Sequence, residues 1–297
     1  MTAPNTSRRT FLKGLGAGAL TLVAVSAQIT PVQASAGDTD EPWGVLIDLT
    51  RCTGCESCVL ACKQANDRPQ PKVAADRLSS EAYCALELQP VIAADGGLAQ
   101  QAIKRQCMHC LHPACVSACT VAALRKRPDG PVVYDASKCI GCRYCQYACP
   151  FGVPTYEWNN ALGLIHKCDM CADRIDAGEP PACAAACPNG ALRFGKRSAL
   201  LAQAHAQIQT NPGRYVDHVF GEFEAGGTSM LYLSAVPFAQ LGFPVLGDTP
   251  VPEHAESIMQ STPIIALGMA ALATSLHLIT RRHHELVAAN AAARSDA

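Results

Sequence analysis

The chain has 297 residues, enough for one to three domains at roughly 100–200 residues each, and 49% of them are apolar, which excludes wholesale disorder. Twenty-four basic against twenty-five acidic side chains leave a formal charge of -1, which argues against a nucleic-acid binder. The cysteines number seventeen, an odd count, and they are bunched rather than spread; bunching points to metal before disulfides.

In chain order, Ser7-Arg8-Arg9-Thr10-Phe11-Leu12-Lys13 leads into a weakly apolar stretch, Gly14 to Thr30, and then the small-x-small site Ala34-Ser35-Ala36. Basic start, apolar middle and small-residue site make residues 1–36 an export signal. The arginine pair before Phe-Leu-Lys resembles a bacterial twin-arginine signal. Signals of that class serve proteins exported already folded, which reconciles a periplasmic address with clustered, unoxidised cysteines.

Sixteen cysteines fall into four groups of four. Cys52, Cys55, Cys58 and Cys62 are spaced C-x2-C-x2-C-x3-C. Cys107, Cys110, Cys115 and Cys119 are spaced C-x2-C-x4-C-x3-C. Cys139, Cys142, Cys145 and Cys149 repeat the first spacing and precede Pro150. Cys168, Cys171, Cys183 and Cys187 are spaced C-x2-C-x11-C-x3-C and precede Pro188. The sequence repeats internally: CTGCESCVLAC (52–62) matches CIGCRYCQYAC (139–149), and CTVAALR (119–125) matches CPNGALR (187–193). Gly44–Asp48 and Pro131–Asp135 read as strands before groups one and three. Each half is therefore strand, cysteine loop and short helix, then a later cysteine loop, helix and strand.

This spacing suits an iron–sulfur cubane. A tight C-x2-C-x2-C loop wraps three corners, and a cysteine three residues further on reaches a neighbouring cluster, as in two-cluster ferredoxins. Gly54 and Gly141 fit where the backbone must approach closely. Group four alone could pass for zinc, but groups one and three do not suit a tetrahedral zinc module. A zinc-rich scaffold and a disulfide framework are the weaker alternatives.

These motifs resemble the four-cluster ferredoxin subunits of bacterial membrane-bound oxidoreductases, such as the iron–sulfur subunit of formate dehydrogenase and the hydrogenase-2 type of electron-transfer subunit. The resemblance covers roughly 43–245. Its most specific stretches are Cys107-Met-His-Cys110, Pro113-Ala-Cys115, CQYACPFG (145–152), HKCDMC (166–171) and GGTSMLY (226–232). It implies an α+β fold: a duplicated ferredoxin-like core of the bacterial two-cluster type with loop insertions, over 43–194, plus one C-terminal transmembrane helix. Groups one and four form one half, and groups two and three, within 103–153, the other. It implies four [4Fe-4S] clusters with crossed ligands. Cys52, Cys55, Cys58 and Cys187 would hold one, and Cys168, Cys171, Cys183 and Cys62 its neighbour. Cys107, Cys110, Cys115 and Cys149 would hold the third, and Cys139, Cys142, Cys145 and Cys119 the fourth. Thr120 stands where a proline commonly follows the second group.

Elsewhere, 66–101, with Pro69, Pro71 and Gly96-Gly97, reads as an inserted loop, and Cys84 within it as a free thiol. His109, His112 and His166 neighbour ligands and could bond to a cluster's surroundings or merely pack. Lys104, Arg105, Lys126, Arg143, Lys167 and Arg193 sit near the loops; each by itself reads as a solvated charge. Ala199–Gln209 reads as a helix and Ser229–Ser234 as a strand. Residues 195–260 read as an extension packing on partner subunits, with Pro237–Pro252 an extended lead-in. Ser261–Thr280 is uncharged and twenty residues long, the length of a membrane span. Arg281, Arg282, His283 and His284 follow and would keep the 281–297 tail cytoplasmic. A buried C-terminal helix is the alternative.

No nucleophile set, phosphate loop or carboxylate pair stands out, so the chain reads as an electron-transfer subunit without substrate chemistry of its own. An enzyme using one cluster as a Lewis acid would need an open ligand position, and sixteen cysteines for four clusters leave none. The expected partners are a catalytic molybdopterin or [NiFe] subunit, an integral membrane cytochrome b or quinone-reactive subunit, and membrane lipid. A formate dehydrogenase or hydrogenase complex is the first reading. Another molybdopterin oxidoreductase, a sulfur-compound or nitrite-type reductase, is the alternative.

Overall fold

The computed structural model describes residues 41–69, 76–92, 97–161 and 163–295; the export signal expected at 1–36 lies outside them. The elements run β1 (Trp43–Asp48), α1 (Ser57–Ala65), β2 (Cys84–Ile92), β3 (Leu98–Gln106), α2 (Ala114–Ser117), β4 (Leu124–Lys126), β5 (Val132–Tyr134) and α3 (Tyr144–Ala148). They continue with β6 (Thr155–Tyr156), β7 (Ile165–His166), α4 (Ala172–Asp176), α5 (Ala182–Ala185), β8 (Leu192–Lys196), α6 (Arg197–Thr210), β9 (Met230–Leu233) and α7 (Glu253–Ser295). The content is mixed α and β.

β1 is the middle of a three-stranded sheet, antiparallel to β8 (Leu46 opposite Arg193) and parallel to β9 (Leu46 opposite Leu231). Its apolar run is buried because both faces are covered. Alternation sends Val45 and Ile47 to the cysteine-bearing side, among Cys58, Val59 and Met170. Leu46 points to the opposite face, where it meets Leu200 and Ala204, one turn apart on α6. Elsewhere β4 and β5 pair antiparallel over a core of Cys115, Leu124, Val132, Cys145 and Ile165. Twice, as β1 with β8 and as β5 with β4, the strand before a C-x2-C-x2-C loop pairs with a strand that follows another loop's last cysteine.

Two stretches depart from the sequence reading. The segment 66–101 carries most of a long β2–β3 hairpin, nine residues per strand with Cys84 opposite Gln106 and Ile92 opposite Leu98. Its base is buried through Cys84, Ala85, Ala102 and Ile103, while Leu88, Ile92 and Leu98 near its tip are exposed. Pro237 onward is not an extended lead-in: Phe238–Leu241 form a short 3-10 turn, and Phe238, Leu241 and Phe243 enter the core. Phe220 packs against Phe243 and Phe238 with ring centroids 4.7 and 5.2 Å apart. Burial of those rings gives this segment its reason to fold back.

α7 is one helix of 43 residues, and its segment Ser261–Ala288 is long and apolar enough to cross a membrane by length and composition, with the charges of that segment gathered after Thr280. None of that stretch is buried in this chain, which removes the alternative of a buried C-terminal helix.

Candidate metal centres

The cysteine loops take their shape from short-range contacts. Asp48 accepts from Thr50 N at 3.0 Å and turns the chain out of β1 toward Cys52; Asp135 accepts from Ser137 N at 3.1 Å after β5 and does the same before Cys139. Gly54 and Glu56, like Gly141 and Arg143, adopt left-handed backbone between the first three cysteines of their loops. Helices α1 and α3 start immediately afterwards. Backbone N–H groups point at sulfur: Gly141 N at Cys139 Sγ (3.4 Å), Met170 N at Cys168 Sγ (3.3 Å) and Ala123 N at Cys119 Sγ (3.2 Å). Such donors favour the charged thiolate over the thiol.

Sixteen cysteines converge in four places. Cys52, Cys55, Cys58 and Cys187 line one cavity, roofed by Leu86 and Leu192. Cys62, Cys168, Cys171 and Cys183 line a second, with Lys104, Gln106 and Met170. Cys119, Cys139, Cys142 and Cys145 line a third, with Leu124, Tyr134 and Ile165. In the fourth, burial first, and then the neighbouring Cys107 and Cys149, push up the thiols of Cys110 and Cys115, the latter to about 12. Every set takes three cysteines from one group and a single one, the last of its group, from another.

Burial dominates the electrostatics. It raises Cys145 to about 11 and Cys168 well above the ordinary thiol range. The hydrogen bond with Cys84 raises Cys58 further than burial does. Cys55 is the exception: it is exposed, and Ser57 lowers it through a hydrogen bond. Without a ligand these buried sulfurs are protonated thiols at neutral pH, so loading a metal group releases protons. All seventeen cysteines are free of disulfides. A single zinc ion at about 2.3 Å from four sulfurs would hold them about 3.8 Å apart. Among the described residues no three cysteine, histidine or carboxylate side chains are grouped for one ion. Thiols ringing a cavity, with amides aimed at sulfur, fit a polynuclear iron–sulfur cluster as the donor set.

Cys84 is a buried thiol, 2% exposed, between Cys58 and Cys62, and lines the second cavity. His109 is fully buried: its Nδ1 accepts from Val132 N at 2.9 Å, Nε2 has no protein partner, and burial keeps the ring neutral. His166 shares a hydrogen bond with Tyr83 Oη at 3.1 Å and stacks on that ring. His112 is exposed.

Three of the cations read from sequence as solvated are not. Lys104 is 2% and Lys167 5% exposed. Lys126 is half-buried, and burial lowers it to about 8. Lys126 Nζ donates to Gly130 O (2.6 Å) and His109 O (3.2 Å); Lys167 Nζ donates to Val132 O and Cys168 O. No short-range pattern announces this burial, because each lysine is enclosed by segments distant in sequence. Arg105 pairs with Glu87 at 2.8 Å and lies over the Phe243 ring, Arg143 packs over Tyr156 and Trp158, and Arg193 is partly exposed.

A 4Fe-4S dicluster domain family matches residues 99–197, and a 4Fe-4S binding domain family matches 43–64. The chain is 35% identical over 326 aligned residues to the hydrogenase-2 operon protein HybA of Escherichia coli O157:H7, covering 94% of this chain and 98% of that one. It is 42% identical over 158 residues to the B subunit of anaerobic dimethyl sulfoxide reductase of Escherichia coli K12, covering 52% and 73%. It is 33% identical over 200 residues to the iron–sulfur subunit of the nitrate-inducible formate dehydrogenase of the same strain, covering 63% and 66%.

Proposed function

Because this protein belongs to the ferredoxin-type 4Fe-4S iron–sulfur subunits of multi-subunit oxidoreductases, as an electron-transfer and not a catalytic subunit, we propose that it relays electrons through four [4Fe-4S] clusters between a periplasmic catalytic subunit and a membrane cytochrome b or quinone site. Cys52, Cys55, Cys58 and Cys187 hold one cluster in this reading, and Cys62, Cys168, Cys171 and Cys183 a second. Cys107, Cys110, Cys115 and Cys149 hold the third, and Cys119, Cys139, Cys142 and Cys145 the fourth. The observation that carries it is the convergence of sixteen cysteines into four sets, each closed by a cysteine from elsewhere in the chain. Bound clusters supply one-electron redox chemistry. The chain's own residues supply thiolates, amides aimed at sulfur, and apolar walls such as Leu86, Leu124 and Ile165 that exclude water.

The repeated course of strand, Asp-capped turn, left-handed loop and helix supports a duplicated ferredoxin-like core over 43–194, with 195–260 as a partner-packing extension. We place the chain on the periplasmic face of the inner membrane, exported by the twin-arginine route and anchored by 261–280, with 281–297 cytoplasmic. The match to HybA spans nearly the whole of both chains, whereas the other two relatives cover about half to two thirds of this one. That favours a [NiFe] hydrogenase as the catalytic partner. The 42% identity to a dimethyl sulfoxide reductase subunit supports the second reading, a molybdopterin oxidoreductase.

The test is elemental analysis of the complex solubilised from membranes under nitrogen through a tag on this chain. The expected result is about sixteen iron atoms for each copy of this chain, over and above those of the partners, with an equal amount of acid-labile sulfide. Nickel in the complex supports the hydrogenase, molybdenum or tungsten the second reading. Zinc in place of iron overturns the electron relay.

A further inference from the structure

Lys104 stands on β3 at the base of the hairpin, fully enclosed, and lines the cavity of Cys62, Cys168, Cys171 and Cys183. Its ammonium has three N–H donors and one protein acceptor among the described residues, Gln106 Oε1 at 2.5 Å. Gln106 is held in that orientation because its Nε2 donates to Tyr232 Oη at 2.8 Å, and Tyr232 Oη donates to Lys104 O at 2.9 Å. All three residues are buried. No carboxylate pairs with Lys104 among the described residues. Arg105, next along the strand, points the other way and is neutralised by Glu87.

A buried ammonium without a counter-ion is destabilising, because the charge has lost its water. The side chains that line the cavity beside Lys104 include the sulfurs of Cys62, Cys84, Cys168, Cys171 and Cys183, a donor set that becomes anionic only when its thiols are deprotonated to hold a cluster. Lys126 and Lys167 differ, since each donates to two backbone carbonyls. Lys104 lines a cavity walled by thiols and, among the described residues, has a single protein acceptor for its three N–H donors. A cubane with four thiolates is net negative and gains one more negative charge on reduction. A fixed cation beside it in a low-dielectric interior therefore favours the reduced form.

We propose that Lys104 is the built-in counter-ion of the cluster held by Cys62, Cys168, Cys171 and Cys183, and that it raises that cluster's reduction potential selectively among the four. The inference rests on the ligand sets proposed above. The Gln106–Tyr232 pair is the positioning device: it fixes where the charge sits.

The experiment is a redox titration followed by electron paramagnetic resonance on the intact complex, with wild type, Lys104→Met, Lys104→Arg and Gln106→Glu. Cys62→Ser identifies the cluster concerned as the one whose signal it removes. Lys104→Met should lower the reduced-to-oxidised ratio of that cluster at least tenfold at fixed solution potential, a 59 mV shift for a one-electron couple. The cluster of Cys58 should shift less in the same direction, and the other two should not shift. Gln106→Glu places a carboxylate against the ammonium without opening a cavity and should shift the same cluster the same way. Lys104→Arg should stay near wild type. If Lys104→Met loses iron, Gln106→Glu decides. Reduced-to-oxidised ratios all within twofold of wild type in Gln106→Glu, or a shift in a cluster that survives Cys62→Ser as large as that in the one it removes, overturn the proposal. A wild type without [4Fe-4S] signals instead sinks the electron-relay reading itself.

Discussion

A cysteine loop is only as good as the backbone that turns it, and the demand falls on single residues. Gly141, between Cys139 and Cys142, sits at φ 66°, and a Cβ there would come within 2.6 Å of Gly163 O. That carbonyl belongs to the connection between β6 and β7, and it is backbone rather than the far end of a flexible side chain. Gly152, after the third group, has nearly the same dihedral, φ 64°, but a Cβ there would meet nothing within 4 Å. The two glycines thus separate conformational cost from collision. Gly152→Ala should cost about 1 kcal/mol and leave the iron content unchanged. Gly141→Ala should displace the loop and lose the cluster of Cys119, Cys139, Cys142 and Cys145, about four of some sixteen iron atoms. Iron analysis with denaturant titration of both variants checks this; equal iron loss in the two would show that left-handed backbone, rather than the contact with Gly163, governs loading.

Among the elements, those set by local patterning were readable. The apolar runs of β1 and β5, the alanine-rich α6 and the β9 strand lie where the sequence puts them, because each carries its pattern within its own few residues, although the partners of β1 are distant in sequence. The cysteine groups were readable for the same reason: ligand spacing is local. The β2–β3 hairpin was not. Pro69, Pro71 and Gly96-Gly97 read as loop, and a burial pattern that fades toward the exposed tip gives no clean alternation. Missing the hairpin also hid Lys104, whose burial exists only because β3 runs beneath the first and fourth cysteine groups. The hairpin's energetic centre is its base, not its length. Ile103 is fully buried among the core that holds Cys58 and Cys84, whereas Leu98 is 87% exposed. Ile103→Ala should cost about 2–5 kcal/mol, and Leu98→Ala should stay within about 0.5 kcal/mol of wild type. Urea midpoints of the two variants test whether the hairpin is part of the core or an appendage; comparable small losses would make it an appendage.

At the scale of the whole molecule, core and C-terminal helix are built on opposite principles. The core up to Phe243 turns side chains such as Val45, Ile47, Ile103 and Leu231 inward, and Ala225 N donates forward to Gly247 O at 2.8 Å. From Ser261 the rule inverts: Ile264, Leu267, Met269, Leu272 and Ile279 are all more than half exposed, and the stretch is apolar with no protein to cover it. Twenty uncharged residues at 1.5 Å per residue extend about 30 Å, the thickness of a bilayer's hydrocarbon core. Arg281 and Arg282 then mark its end, with Arg281 paired to Glu285 at 3.1 Å. Since no cysteine set uses a residue of this helix, removing it should separate membrane attachment from cluster binding. A chain ending at Pro252 keeps the Gly247 contact and should leave the membrane fraction, with iron per chain equal to that of the full-length protein. Fractionation and iron analysis of the two forms decide the matter. A shortened chain that stays with the membrane would mean that partner contacts through 195–252 hold it there, and one that loses iron would mean that the helix braces the core.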